Sequence, residues 1–166
     1  KTRVLTSRLA QLIATRTANP FNILAITFTN KAAKEMRKRA VDLVGPMAEQ
    51  ITLGTFHSVA AQMLRRHAEL VGLKSNFTIL DSDDQLRLIK QVMEADGLDL
   101  KRWPPRMMLS LFSRWKDKGL TPEKITKSEA GDAVQGRAKS LFKSYQDRLL
   151  DLNATDFGDL LLHMLT

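Results

Sequence analysis

The chain has 166 residues, of which 43% are apolar and 27% charged, with a formal net charge of +8 and no cysteine. This composition suits a folded protein able to bury a core of one domain or one and a half. No apolar run approaches the roughly 20 residues of a membrane span, and Lys1-Thr2-Arg3 does not open a secretory leader, so a cytoplasmic location is expected. Without cysteine, disulfides, thiol catalysis and thiolate metal sites are excluded, leaving oxygen and imidazole ligands.

The charge is unevenly spread: residues 1–80 carry 12 Lys and Arg against 4 Asp and Glu, whereas residues 81–166 carry 14 against 14. A local basic excess of this kind marks a polyanion-binding face. A basic surface that only aids solubility would give the same count.

Val4, Leu5, Leu9, Leu12 and Ile13 fall at helical spacing and predict a helix over Thr2–Thr15. Asn19-Pro20 ends it, because the residue before proline disfavours the α region. Asn22–Phe28 then reads as a buried parallel strand. It turns abruptly into a basic helix, with Ala33, Met36, Ala40, Leu43 and Val44 on one face and Thr29 or Asn30 as N-cap. An exposed Phe28 at that strand end, beside free helix N–H groups and Lys31, Lys34 and Arg37, could stack a base and hold a phosphate. A core phenylalanine above a solvated lysine face fits the local pattern equally.

Gly45-Pro46 stops the basic helix, and Ile51–Thr55 predicts a second strand. Thr55-Phe56-His57-Ser58 leads into a helix with Val59, Ala60, Met63 and Leu64 on one side. The same device therefore occurs twice, an aromatic with small polar groups at a strand-to-helix junction. Ligands of open α/β sheets bind outside the carboxyl ends of the strands, so two adjacent junctions would make one groove. His57 could donate to a phosphate or base there, or be a satisfied structural histidine.

From Gly72 the pattern changes. Phe77–Leu80 is a short extended segment, and Ser82-Asp83-Asp84-Gln85 has capping-box spacing before a helix with Leu86, Ile89, Val92 and Met93 inward. Met107, Met108, Leu111, Phe112 and Trp115 predict the core face of another helix. Ser128–Gly136 resembles a linker, and Ala138, Leu141, Phe142, Tyr145, Leu149 and Leu152 predict a last long helix. Residues from about 73 to 150 thus read as an all-helical lobe inserted before a terminal segment that returns to the first lobe. The three histidines have no zinc-binding spacing. Asp83-Asp84 reads as helix N-terminal charge, and Asp156 and Asp159 form a second carboxylate pair.

Several of these stretches, taken together, resemble one family. Lys1-Thr2-Arg3-Val4-Leu5-Thr6, then Thr27-Phe28-Thr29-Asn30-Lys31-Ala32-Ala33, then Thr55-Phe56-His57-Ser58, are similar in order and spacing to the superfamily 1 DNA helicases of the UvrD/PcrA/Rep type. The likeness continues through Ile79–Arg87 and Trp103–Arg106, which look most like the UvrD branch, to Asp156-Phe157-Gly158-Asp159-Leu160-Leu161. The resemblance implies an α/β fold: a partial RecA-like P-loop domain, 1A (residues 1–72 and 151–166), carrying an inserted helical domain, 1B (73–150).

The implied activity is ATP-driven 3′-to-5′ translocation and unwinding of DNA, for example in repair, with ATP and Mg²⁺ as cofactors. Lys1 would contact the nucleotide phosphates and Thr2 would ligate the metal. Phe28, Thr29, Asn30, Lys31, Thr55, Phe56 and His57 would lie along single-stranded DNA, and Phe157 would line a base pocket. Ser113–Gly119 would approach duplex DNA at a single/double-strand junction. The glycines before Lys1, the Asp-Glu motif and the second RecA-like domain are not in this sequence, so phosphoryl transfer, which needs all of them, is expected only with the remaining helicase domains. The alternative reading is a non-catalytic single-stranded nucleic-acid-binding module.

Overall fold

The computed structural model describes residues 2–165, in two compact units that divide between Gln62 and Met63. In the first, α1 (Thr2–Ala14) precedes β1 (Leu24–Thr27), α2 (Asn30–Val44) and β2 (Thr52–Thr55), and α3 (Phe56–Arg66) begins directly after β2. The two strands are parallel and joined through α2, a connection that parallel strands require. Thr29 caps α2, its hydroxyl accepting from the Ala32 N–H at 3.1 Å. Gly45 ends the helix at φ 74°, a left-handed conformation available to glycine at little cost.

The core of this unit joins Ile13 of α1, Ala33, Met36 and Ala40 of α2, Ile23, Ile51 and Leu53. Two expectations need correction. β1 is buried on one face only: Ile23 and Thr27 point inward, while Leu24 and Ile26 are exposed, because α2 covers a single side of a two-stranded sheet. Val4, Leu5 and Leu43, placed by periodicity on apolar helix faces, are exposed too.

The second unit contains β3 (Thr78–Ile79), α4 (Ser82–Ala95), α5 (Pro105–Asp117), α6 (Lys127–Ala130), α7 (Ala138–Asp151), β4 (Ala154–Thr155) and α8 (Phe157–Leu162). Its core is aromatic: the Phe112 ring lies 4.8 Å from Phe142 and 5.6 Å from Tyr145, centroid to centroid. Ile89, Met93, Met108 and Trp115 are buried with them, whereas Met107 is exposed. The α4 cap is Asp81, one residue before the expected Ser82; its carboxylate accepts from the N–H groups of Asp83 and Asp84. The expected linker Ser128–Gly136 includes part of α6 and a fully buried Val134.

The terminal segment packs within this second unit, where β4 pairs in parallel with β3 and α8 packs on α5. Residues 63–72 also belong to it. This division differs from the expected one, which groups 1–72 with 151–166. The class is nonetheless the mixed one expected, helices with short parallel sheets. Among the described residues no helix is long and apolar enough to cross a membrane.

Candidate nucleic-acid interface

At the first junction the chain leaves β1 at buried Thr27, whose hydroxyl donates to the Thr29 carbonyl at 3.0 Å. That bond and the Thr29 cap tighten the turn and leave Phe28 outside it, 90% exposed. The reading of Phe28 as a core residue is therefore excluded. Thr29, Asn30 and Lys31 are exposed beside it, and the first turn of α2 has no acidic side chain.

The second junction is built alike. The Ser58 hydroxyl accepts from the Thr55 N–H at 2.8 Å, and the Ser58 N–H donates to the Thr55 hydroxyl at 3.3 Å. Phe56 is 44% exposed and His57 is exposed. Gly54 permits the closeness of this turn, since a Cβ there would stand 2.4 Å from Ser58 Oγ.

Register brings the junctions together. Thr27 and Thr55 are direct partners in the β1–β2 ladder, so the residues after them emerge side by side. The Phe28 and Phe56 rings lie 5.6 Å apart, inclined at 48°. Two exposed aromatics in contact form an apolar ledge at the carboxyl ends of both strands. Leaving such a surface in water forgoes burial worth about 1.5–3 kcal/mol per ring.

The basic helix exposes fewer unpaired cations than its sequence suggests. Lys31, Lys34 and Lys38 are exposed, but Arg37 points into the fold, donating to the carbonyls of Leu53 at 2.9 Å and Glu49 at 3.3 Å. Arg39 is ion-paired with Glu35. The groove between α1 and α2, about 440 Å³ and lined by Arg3, Thr6, Ser7, Arg39, Asp42 and Leu43, lies apart from the ledge.

Phe157 stands at a comparable position in the second unit, first in α8 after β4 and 49% exposed. Beneath it lies a polar cluster of which sequence reading found the carboxylate pair Asp156 and Asp159 but not its partners. Lys116, 4% exposed, places its ammonium 2.6 Å from Asp156 and 2.9 Å from Asp159, and the Tyr145 hydroxyl donates to Asp156 at 3.1 Å. Asp156 also caps α8 by accepting from the Asp159 N–H at 2.9 Å, and Gln146 donates to Asp159 at 2.9 Å.

Burial, opposed by Lys116 and reinforced by the neighbouring Asp156, pushes the Asp159 carboxyl above its ordinary range. Burial followed by the Asp156 charge pushes the Tyr145 phenol up, and burial pushes the His163 imidazole down. One signal was available: Lys116 follows Phe112 by four, on the core face of α5. The segment Ser113–Gly119 therefore divides, with Arg114 and Lys118 exposed but Trp115 and Lys116 buried.

Lys1 lies outside the described residues, and Thr2 enters only as the first backbone position of α1. No group of three or more His, Asp or Glu among the described residues could hold a metal ion.

Comparison with known proteins agrees with the ordered motifs. The family model described as UvrD/REP helicase N-terminal domain matches residues 1–166. The chain is 46% identical over 165 residues to a probable DNA helicase II homolog of Rickettsia felis, covering 98% of this chain and 25% of that protein. DNA helicase II of Rickettsia typhi is 46% identical over 166 residues, with the same 98% and 25% covered. ATP-dependent DNA helicase PcrA of Staphylococcus epidermidis is 46% identical over 162 residues, covering 98% of this chain and 22% of that protein. The chain thus spans about a quarter of the length of these curated relatives. With its motifs, fold and full-length family match in agreement, the chain belongs to the UvrD/REP helicase N-terminal domain family.

Proposed function

We propose that this chain forms part of the N-terminal motor half of an ATP-dependent 3′-to-5′ DNA helicase, and that the Phe28–Phe56 ledge holds single-stranded DNA. The single observation that carries this reading is the in-register pair of strands presenting two exposed rings 5.6 Å apart. Phe28 and Phe56 would stack on bases, a contact indifferent to sequence because every base has a π-face. Thr29, Asn30, Thr55 and His57 would lie along the backbone, with Lys31 supplying charge. Phe157 would contact a further base. In the longer protein, residues 1–72 and 151–166 would belong to the RecA-like domain and 73–150 to the helical insertion, with single/double-strand junctions as substrate and cytoplasmic repair as a setting.

ATP and Mg²⁺ belong to the same proposal. α1 starts at Thr2 with no acidic side chain in its first turn and with Arg3 exposed, which fits an anionic phosphate. Lys1 would contact the phosphates. Thr2 would give one hydroxyl to Mg²⁺, an ion that takes six oxygen ligands and so needs others from nucleotide, water and further protein groups. ATP would supply the free energy for closing two RecA-like domains on the strand. The residues here bind and orient, and this chain alone would not hydrolyse ATP.

Fluorescence anisotropy with a labelled oligonucleotide at two salt concentrations tests the reading. Phe28→Ala in the full-length polypeptide is expected to lose about 1–3 kcal/mol of strand binding; unchanged affinity would refute the ledge as a strand contact. The basic excess of residues 1–80 keeps one other reading in play, a self-sufficient single-strand-binding module. Tight, salt-sensitive binding by the isolated chain would favour that module. ATP turnover by the isolated chain would contradict its dependence on further domains.

A further inference from the structure

We propose that Lys116 is a positioning residue for Phe157: its buried ammonium clamps the two carboxylates on either side of that ring and fixes the direction in which the ring meets a base. The inference rests on the reading of Phe157 as a strand contact and adds the device that aims it.

Phe157 is half exposed, and the backbone of residues 156–159 fixes where its Cα stands and the direction in which its side chain leaves the chain. That backbone opens a helix of six residues, too short to be stable by itself. Three groups from outside the segment hold it. Lys116 of α5 bridges Asp156 and Asp159, Tyr145 of α7 donates to Asp156, and Gln146 of α7 donates to Asp159. The Asp156 carboxylate is the hub, since one oxygen takes Lys116 and Tyr145 while the other caps α8.

Gly158 reports the same arrangement independently. Its φ is not in the left-handed region, so conformation does not call for glycine here. Space does: a Cβ at 158 would stand 2.9 Å from Lys116 Cδ and 3.5 Å from Lys116 Cβ. The lysine stem therefore lies against the backbone next to Phe157 while its ammonium holds the carboxylates on both sides. Burying a lysine with two carboxylates is costly unless all are paired. Packing alone would be served as well by an apolar side chain, whereas a charged clamp pins a particular backbone geometry.

The test is a double-mutant cycle in the full-length polypeptide, using an oligo(dT) strand that carries 2-aminopurine, whose emission falls when it stacks. Phe157→Ala is expected to weaken binding roughly 5- to 150-fold and to relieve quenching at one strand position. Lys116→Met should reproduce part of both effects in the wild-type background and add nothing in the Phe157→Ala background. Equal losses in the two backgrounds would overturn the proposal, because Lys116 would then act on the fold as a whole. Normal binding and quenching by Phe157→Ala would instead remove the underlying reading.

Should Lys116→Met fail to fold, Tyr145→Phe, which deletes one hydroxyl and no charge, carries the same cycle. Its loss should be smaller and should again vanish in the Phe157→Ala background; additivity there counts against the clamp. Gly158→Ala should disturb the quenching pattern at the Phe157 position while leaving that at the Phe28 position intact. Disturbance of both, or of neither, contradicts the assignment.

Discussion

Arg37 donates its guanidinium to the Leu53 carbonyl at 2.9 Å, tying the middle of α2 to the strand that ends at Thr55. A second bond to Glu49 holds the turn before that strand. Arg37→Met should therefore destabilise the first unit by about 1–3 kcal/mol, by leaving two carbonyls short of a charged donor. Lys34→Met, on the exposed face, should leave stability within about 0.5 kcal/mol. Urea midpoints of the two variants separate the roles, and equal midpoints would return Arg37 to the pool of surface cations.

Gly54 is required by crowding rather than by backbone conformation. A Cβ there meets Ser58 Oγ at 2.4 Å and Val59 Cγ2 at 3.3 Å, and the serine oxygen is committed to the Thr55 N–H. Gly54→Ala is expected to cost about 1–3 kcal/mol through overpacking. Adding Ser58→Ala should recover part of it by removing the nearest atom. Thermal denaturation of the single and double variants measures the recovery; a double variant less stable than Gly54→Ala would contradict this account.

The α4 cap offers a contrast with sequence reading. Asp81→Ala should lower stability by about 0.5–2 kcal/mol, since its carboxylate serves two helix N–H groups. Ser82→Ala, at the position that the capping-box spacing nominated, should change little. Reversed magnitudes in chemical denaturation would show that the cap lies at Ser82.

His163 gives the second unit a pH dependence with a definite sign. Burial lowers its pKa from the ordinary 6.5, with Asp159 opposing and Lys116 reinforcing the shift. The unfolded chain then takes up a proton more readily than the folded one. The contribution is fully present above pH 6.5 and is lost as pH falls below it towards the folded value. Asp159 has the opposite sign, because its raised pKa favours the folded state below the ordinary 3.8 and loses that advantage as pH rises. Comparing denaturation midpoints of wild type and His163→Gln between about pH 7 and 5 isolates the histidine. The wild type should weaken more steeply on acidification, and parallel profiles would exclude the effect.

Much of this was legible in the chain itself. Helical spacing located α2, α4, α5 and α7, and the Thr-Phe pairs located both strand-to-helix junctions of the first unit. These features depend on neighbours a few residues away, so local periodicity suffices. The Asp81 cap was misplaced by one residue because Asp and Ser are both good N-caps, and spacing alone does not choose between them. Arg37 was misassigned because Lys34 and Arg37 look alike as cations on a basic helix, until the position of the Leu53 carbonyl is known.

Residue order by itself therefore determined the α/β class, the helix faces that carry the core and the ordered motifs that place the chain in its family. Only the tertiary structure decided which of those residues meet solvent. Phe28 fitted core and contact equally until the pairing of Thr27 with Thr55 set its ring beside Phe56 at the surface. Lys116 was only one residue of a segment expected near duplex DNA until Asp156, 40 residues away in sequence, came within 2.6 Å. Both outcomes turn on which distant segments share a register or a core, and that is an energy of long-range packing that a local pattern does not contain.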